Sequence, residues 1–215
     1  MKIECVVRVR SLVGEGPVWD DRARVVWWTD IKAPKLHRYD PATGTDRSWD
    51  MPSRLGTVQL RRDGGLIGAF KHGFALIDPE TGAVTPLTDP EAHLPGNRFN
   101  DGGVDDVGRF WAGTMDDGEA DPTGHLYRLD PDGTVAGFET HFTITNGVDW
   151  SLTGARCISS IPPAAISTPM TSTMRPASRA PGVSSPRCRR RWAIRTGCWS
   201  MPRIMSGVPI GAAGA

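Results

Sequence analysis

Two short segments of this chain carry residue types suited to gripping a polar molecule. "GNRFNDGGVDD" (96–106) places Arg98, Asn100 and Asp101 within four residues. Spacing by two puts Arg98 and Asn100 on one side of an extended segment, where a guanidinium and a carboxamide can hydrogen-bond hydroxyls or a carbonyl. The same pattern also fits an Asx turn beside a surface arginine. Glu15, in "GEGPVW", is a charged residue where the chain enters its first strand–turn unit, and it reads equally as a solvated loop carboxylate. Asn146 precedes Gly147 in "TITNGVDW", and Asn-Gly is foremost a hairpin-turn signal. Carboxylate and amide oxygens of this kind suit hard divalent cations.

Other chemistries lack their residues. The sequence has no G-x-S-x-G, no Walker loop and no Cys/His pairing signal, and its five His (37, 72, 93, 125, 141) are scattered. Cys5 is the single cysteine before residue 152, which is no disulfide framework and points to a reducing compartment. The start, "MKIECVVRVRSLVGEGP", is interrupted by Glu4, Arg8 and Arg10 and reads as an edge-type strand rather than a leader. No run approaches the ~20 apolar residues of a membrane span. The expectation is a cytoplasmic protein with no membrane partner; nothing in the sequence assigns an oligomeric state.

The elements that must position these residues are strands. "VVWWTDI" (25–31), "LHRYD" (36–40), "GLIGAF" (65–70), "FALID" (74–78), "RFWAGTM" (109–115) and "HLYRLD" (125–130) are β-branched or aromatic runs of strand length. Between them stand "DPATG", "DPETG" and "DPDG", with Pro pre-set for a turn and Gly available for positive φ. No amphipathic helical window is evident, so the class is all-β.

The units repeat. Apolar-x-x-Asp-x-x-apolar followed by a strand recurs at "VWDDRARVVWW", "QLRRDGGLIGAF" and "GVDDVGRFWAG", and "NGVDWS" begins a fourth. Its anchors Val18, Leu60, Val104 and Val148 are 42, 44 and 44 residues apart. A period of roughly 40–50 residues with four strands per unit is the signature of a β-propeller, here with about three blades before Ser151.

After Ser151 the alternation stops. All 24 acidic residues precede residue 152, leaving residues 1–151 at net −8; residues 152–215 hold nine Arg, no Lys and no acid. Their Ser/Thr/Pro-rich composition predicts low order. The run "RCRRRWAIR", with Trp192 available for stacking, has the composition of a nucleic-acid-binding arm. The genetic code offers another account: restoring one nucleotide after the codon of Ser151 lets permitted codons read "SPDGRTLHLIDTP", and further strands with Asp-Gly and Ala-Thr-Gly turns follow. The expected division is therefore a partial propeller over 1–151 and an out-of-frame tail over 152–215, with no nucleic-acid partner.

"GEGPVWD", "WWTDI", "YDPATG", "NRFNDGGVDDVGRFWAGTM", "GHLYRLDPDG" and "TNGVDWS" resemble, in order, the motifs of the SMP-30/gluconolactonase/regucalcin family of six-bladed β-propellers. The resemblance implies a metal-dependent hydrolase that opens a sugar lactone to an aldonic acid. It implies Glu15 and Asn146 as ligands of a divalent ion (Ca²⁺, Zn²⁺ or Mg²⁺), and Arg98 and Asn100 as substrate contacts. An acidic contact should follow "GTM"; the direct register falls on Gly118, leaving Glu119 or Asp117. The family's acid/base Asp lies beyond the break, where "IRTG" (194–197) stands instead, so an inactive chain is expected. A non-catalytic, calcium-binding propeller of regucalcin type is the alternative.

Overall fold

The computed structural model describes residues 5–150 and the backbone of Cys157–Ile158. It is built of antiparallel strands in up-and-down order, and no helix occurs among the described residues. The first sheet contains β1 (Gly14–Asp20), β2 (Val25–Asp30), β3 (Lys35–Asp40) and β4 (Thr45–Asp50). The second contains β5 (Leu55–Leu60), β6 (Leu66–Phe70), β7 (Gly73–Ile77) and β8 (Val84–Thr88). The third contains β9 (Asn97–Val104), β10 (Phe110–Asp116), β11 (Gly124–Leu129) and β12 (Val135–Phe142). A fourth begins with β13 (Asp149–Trp150), which pairs with β14 (Cys157–Ile158). These are three blades of a β-propeller and the start of another, as the repeat predicts.

Each blade uses the period of two to bury both of its faces. β6 directs Leu66 and Phe70 into a cluster with Val25, Trp27 and Leu36 of the first blade. Its alternate residues, Ile67 and Ala69, meet Phe99, Phe110 and Tyr127 of the third. β10 repeats the device, with Phe110 and Ala112 turned one way and Trp111 the other, toward Val148 and Trp150. A fully buried side chain of this size contributes about 1.5–3 kcal/mol, so the apolar seams between blades dominate the stability of the array. The outermost strands β4 and β8 are mostly exposed, and Pro86 is accommodated in β8 because that edge needs no further ladder partner.

The innermost strands pack side by side, β1 on β5 and β5 on β9. At Gly56 a Cβ would stand 2.5 Å from the Phe99 carbonyl oxygen, so β5 approaches β9 this closely only because it carries no side chain there.

The N-terminal expectation needs correction. Residues 5–13 form no strand, and the first strand starts at Gly14. The alternating valines find no strand partner among the described residues; Val13 is held instead by the Asp30 carboxylate and the Ile31 amide. Strands β1, β4, β5, β8, β9 and β12 go beyond the six runs recognised as strands, since their outer faces or functional residues dilute the apolar signal. The low order expected of residues 152–215 lies outside the described residues, apart from Cys157–Ile158, which form β14.

Candidate functional site

The meander fixes where side chains can meet. The β1–β2, β3–β4, β5–β6, β7–β8, β9–β10 and β11–β12 turns lie at one end of the blades. The β2–β3, β6–β7 and β10–β11 turns lie at the other end, with the connections between blades.

At the first end each turn largely satisfies itself. The Asp78 carboxylate accepts the amides of Glu80 and Thr81, while Gly82 at φ 73° donates its amide to the Asp78 carbonyl. "YDPATG" folds the same way, with the Ala42 amide on the Asp40 carboxylate and Gly44 at φ 69°. Asp20 and Asp105 hold their turns likewise.

At the second end the contacts run between blades. Arg98, near the start of β9, is buried; its Nε donates to Asp117 Oδ1 at 3.0 Å and its NH1 to Asn100 Oδ1 at 2.7 Å. Asn100 in turn donates Nδ2 to the Thr145 carbonyl at 2.7 Å and to Asn146 Oδ1 at 3.1 Å. Arg98, Asn100 and Asn146 therefore form one hydrogen-bonded chain from the third blade to the start of the fourth. The Asn-Gly pair is no hairpin: Gly147 takes φ 65° in the connection before β13, and its amide donates to Asp101 Oδ2 at 2.7 Å.

Glu15, on β1, joins this group electrostatically. Desolvation, and then the neighbouring Asp101 carboxylate, raise its carboxyl above the ordinary Glu value. Burial likewise raises Asp101, against the opposing bonds from the amides of Gly147, Gly102 and Val148. Two carboxylates that repel one another beside an amide oxygen are a donor set that a hard cation would relieve. Among the described residues, no three His, Cys, Asp or Glu gather closely enough to hold a metal by themselves. Glu15, Asp101 and Asn146 thus fit a divalent ion in type.

The acidic position after "GTM" resolves into two different environments. Asp117 Oδ1 accepts from Arg98, and Oδ2 accepts Lys71 Nζ at 3.1 Å; Arg54 also pairs with this carboxylate. Glu119, at φ 62°, is exposed and pairs with Lys32 at 3.6 Å. The direct partner of Arg98 is Asp117, and Glu119 stands one step further out. Burial works to raise Asp117, but the Lys71 bond and the charges of Arg54, Lys71 and Arg98 outweigh it and hold the carboxyl below the ordinary range.

Arg54 and Lys71 were not singled out for chemistry from the sequence, and Asp101 was named beside Arg98 and Asn100 without a role of its own. A positional signal existed for two of them. Arg54 and Arg98 each stand six residues before the anchors Leu60 and Val104, and Glu15 and Asp101 each stand three before Val18 and Val104. Equivalent places in successive repeats come to equivalent heights on successive inner strands.

The SMP-30/Gluconolactonase/LRE-like region matches residues 13–160. The chain belongs to this family. Regucalcin of Xenopus laevis is 39% identical over 158 residues, covering 71% of this chain and 52% of the relative. The 6-deoxy-6-sulfogluconolactonase of Pseudomonas putida is 38% identical over 149 residues, covering 69% and 51%. Among solved structures, a calcium-binding protein, regucalcin, from Agrobacterium tumefaciens superposes with a TM-score of 0.66 at 29% identity, over 70% of this chain and 50% of that one. The chain spans about half the length of the curated relatives it matches. The SMP-30/gluconolactonase match continues nine residues past Ser151 and takes in β14.

Proposed function

We propose that residues 1–151 carry half of a metal-dependent sugar-lactone hydrolase site, of the kind that opens a lactone ester to an aldonic acid. The observation that supports this reading best is the chain Arg98–Asn100–Asn146 beside the carboxylates Glu15 and Asp101, at the end of the blades where the connections between blades converge. Arg98 is held by Asp117 and Asn100, so its guanidinium is pre-oriented and loses little freedom when a sugar hydroxyl or carbonyl arrives. Glu15 and Asn146 would hold a divalent ion, Ca²⁺, Zn²⁺ or Mg²⁺, with Asp101 alongside. Such an ion, when bound, polarises a lactone carbonyl as a Lewis acid.

The family's acid/base Asp would be encoded past Ser151 in the alternative frame, so the proposed chain binds lactone without appreciable turnover. The same reading makes 152–215 an out-of-frame tail and the protein cytoplasmic; among the described residues, no helix is long and apolar enough to cross a membrane. Lactone hydrolysis with added divalent metal, measured beside a chain with the frame restored, tests the proposal. Turnover by the present chain at the restored chain's rate would overturn the claim of inactivity, and inactivity of both would overturn the lactonase reading. Resequencing the DNA at codon 151 tests the frame.

A second reading, a non-catalytic calcium-binding propeller, draws on the mutual repulsion of Glu15 and Asp101. It predicts calorimetric Ca²⁺ binding that falls in Glu15→Gln, together with no hydrolysis after the frame is restored.

A further inference from the structure

One cluster at the loop end of the blades gathers cations in a part of the chain that is acidic overall. Residues 1–151 carry a net −8, yet Arg54, Lys71 and Arg98 all converge on the single carboxylate of Asp117. The nearby Lys32 is matched by Glu119, so the cluster keeps two positive charges in excess. These cations come from three places: the connection into β5, the β6–β7 turn and β9. No local motif forces them together. Exposure differs usefully among them. Arg98 is 5% exposed, while Arg54 and Lys71 keep 33% and 26% of their side-chain surface open. The Lys71 side chain has three donors and that of Arg54 five; among the described residues each side chain donates one hydrogen bond, to Asp117.

We propose, resting on the lactone-binding reading of this same face, that Arg54 and Lys71 select sugar lactones bearing an anionic substituent such as a phosphate or sulfonate. Arg98 and Asn100 address the sugar, and the cations one step outward on Asp117 address the charged group. Asp117 pre-assembles them, so their mutual repulsion is met before the ligand arrives. Burial, offset by Asp117 and then reinforced by the charge of Arg54, lowers the Arg98 guanidinium from its ordinary value. An anion at this cluster would ease that repulsion.

The test compares 6-phosphogluconate with gluconate, the stable ring-opened forms, by calorimetry on the full chain with and without Mg²⁺. The phosphorylated compound should bind about tenfold more tightly at low salt, because charge-assisted bonds are the stronger class. The margin should shrink as salt rises. Lys71→Gln should remove most of the preference, Lys71→Arg should retain it, and Arg62→Gln, a charge-matched change at an exposed residue of the opposite end, should leave it intact. Equal affinity for both compounds would overturn the anion selection and leave the lactone site standing. Binding of neither would overturn both readings. An equal loss of preference in Arg62→Gln and Lys71→Gln would reduce the effect to general attraction and overturn the specific site.

Discussion

The two ends of the blades differ in how far the contacts of their key residues reach. At the turn end, Asp40 and Asp78 cap their own hairpins through amides two or three residues away. At the loop end, Arg54 reaches Asp117 across 63 residues and Asn100 reaches Asn146 across 46. A turn that satisfies itself can recur unchanged, which is why "DPATG" and "DPETG" look alike. Loops satisfied by neighbouring blades are free to differ, and their differences supply the chemistry.

Substitutions should separate the two ends by size of effect, and each is read from urea denaturation of the full chain. Gly56→Ala, near the loop end of β5, meets the Phe99 carbonyl at 2.5 Å and should destabilise by about 3 kcal/mol or prevent folding. A loss under 1 kcal/mol would mean that β5 and β9 can separate freely. Glu91→Gln comes next. Glu91 is buried in the loop before β9 and accepts from Thr114 Oγ1, Tyr127 OH and Asn97 Nδ2. Replacing one oxygen by a donor should cost about 2 kcal/mol. Burial first, and then the Glu91 carboxylate, raise the Tyr127 phenol well above its ordinary value.

The turn end should respond less. Gly44 has positive φ but open space around a notional Cβ, so Gly44→Ala should cost only about 1 kcal/mol. Arg24 occupies the corresponding place in the β1–β2 turn at φ 60°, and its guanidinium lies over Trp19 at 5.1 Å. Arg24→Gly relieves the backbone and loses that contact, for a net gain of about 0.5 kcal/mol. A loss of stability would show the stacking to be the stronger term.

The smallest effect is in pH. Glu15 and Asp101 lie above their ordinary values of 4.5 and 3.8, so their ionised forms weaken the fold at neutral pH. Stability should recover as pH falls through their raised values. Asp117 lies below 3.8. So does Asp30, where burial works upward but the amides of Val13, Ala33 and Leu12 prevail. What these two contribute is present above 3.8 and is lost as pH falls through and below it. The profile should therefore rise slightly from neutral pH and then fall in acid. In the double variant Glu15→Gln, Asp101→Asn the rise should vanish, and its persistence would place the titrating groups elsewhere.

Much of this was legible in the residues. Anchors spaced by 42 to 44 and repeated Asp-Pro-x-Thr-Gly turns dictate four-stranded units, because those turns are local and carry their own hydrogen bonds. Near-continuous apolar runs such as "RFWAGTM" were readable as strands; their burial on both faces came with the stacking of blades, which sets β10 between two clusters. Arg98, Asn100, Glu15 and Asn146 were nameable by type and by family resemblance. Less legible was the N-terminal segment, whose alternation is that of a strand but which lacks a partner. Alternation states a preference, and pairing decides it.

The sequence alone therefore determined the all-β class, the repeat and the family, since each depends on local turn chemistry and on the order of motifs. The tertiary structure decided which charges meet. Only the packing of β1, β5 and β9 side by side brings Glu15 within the field of Asp101. Only the shared loop end of the blades sets Arg54, Lys71 and Arg98 on Asp117. Charges act through space, and their spacing along the chain carries no distance until the blades are stacked.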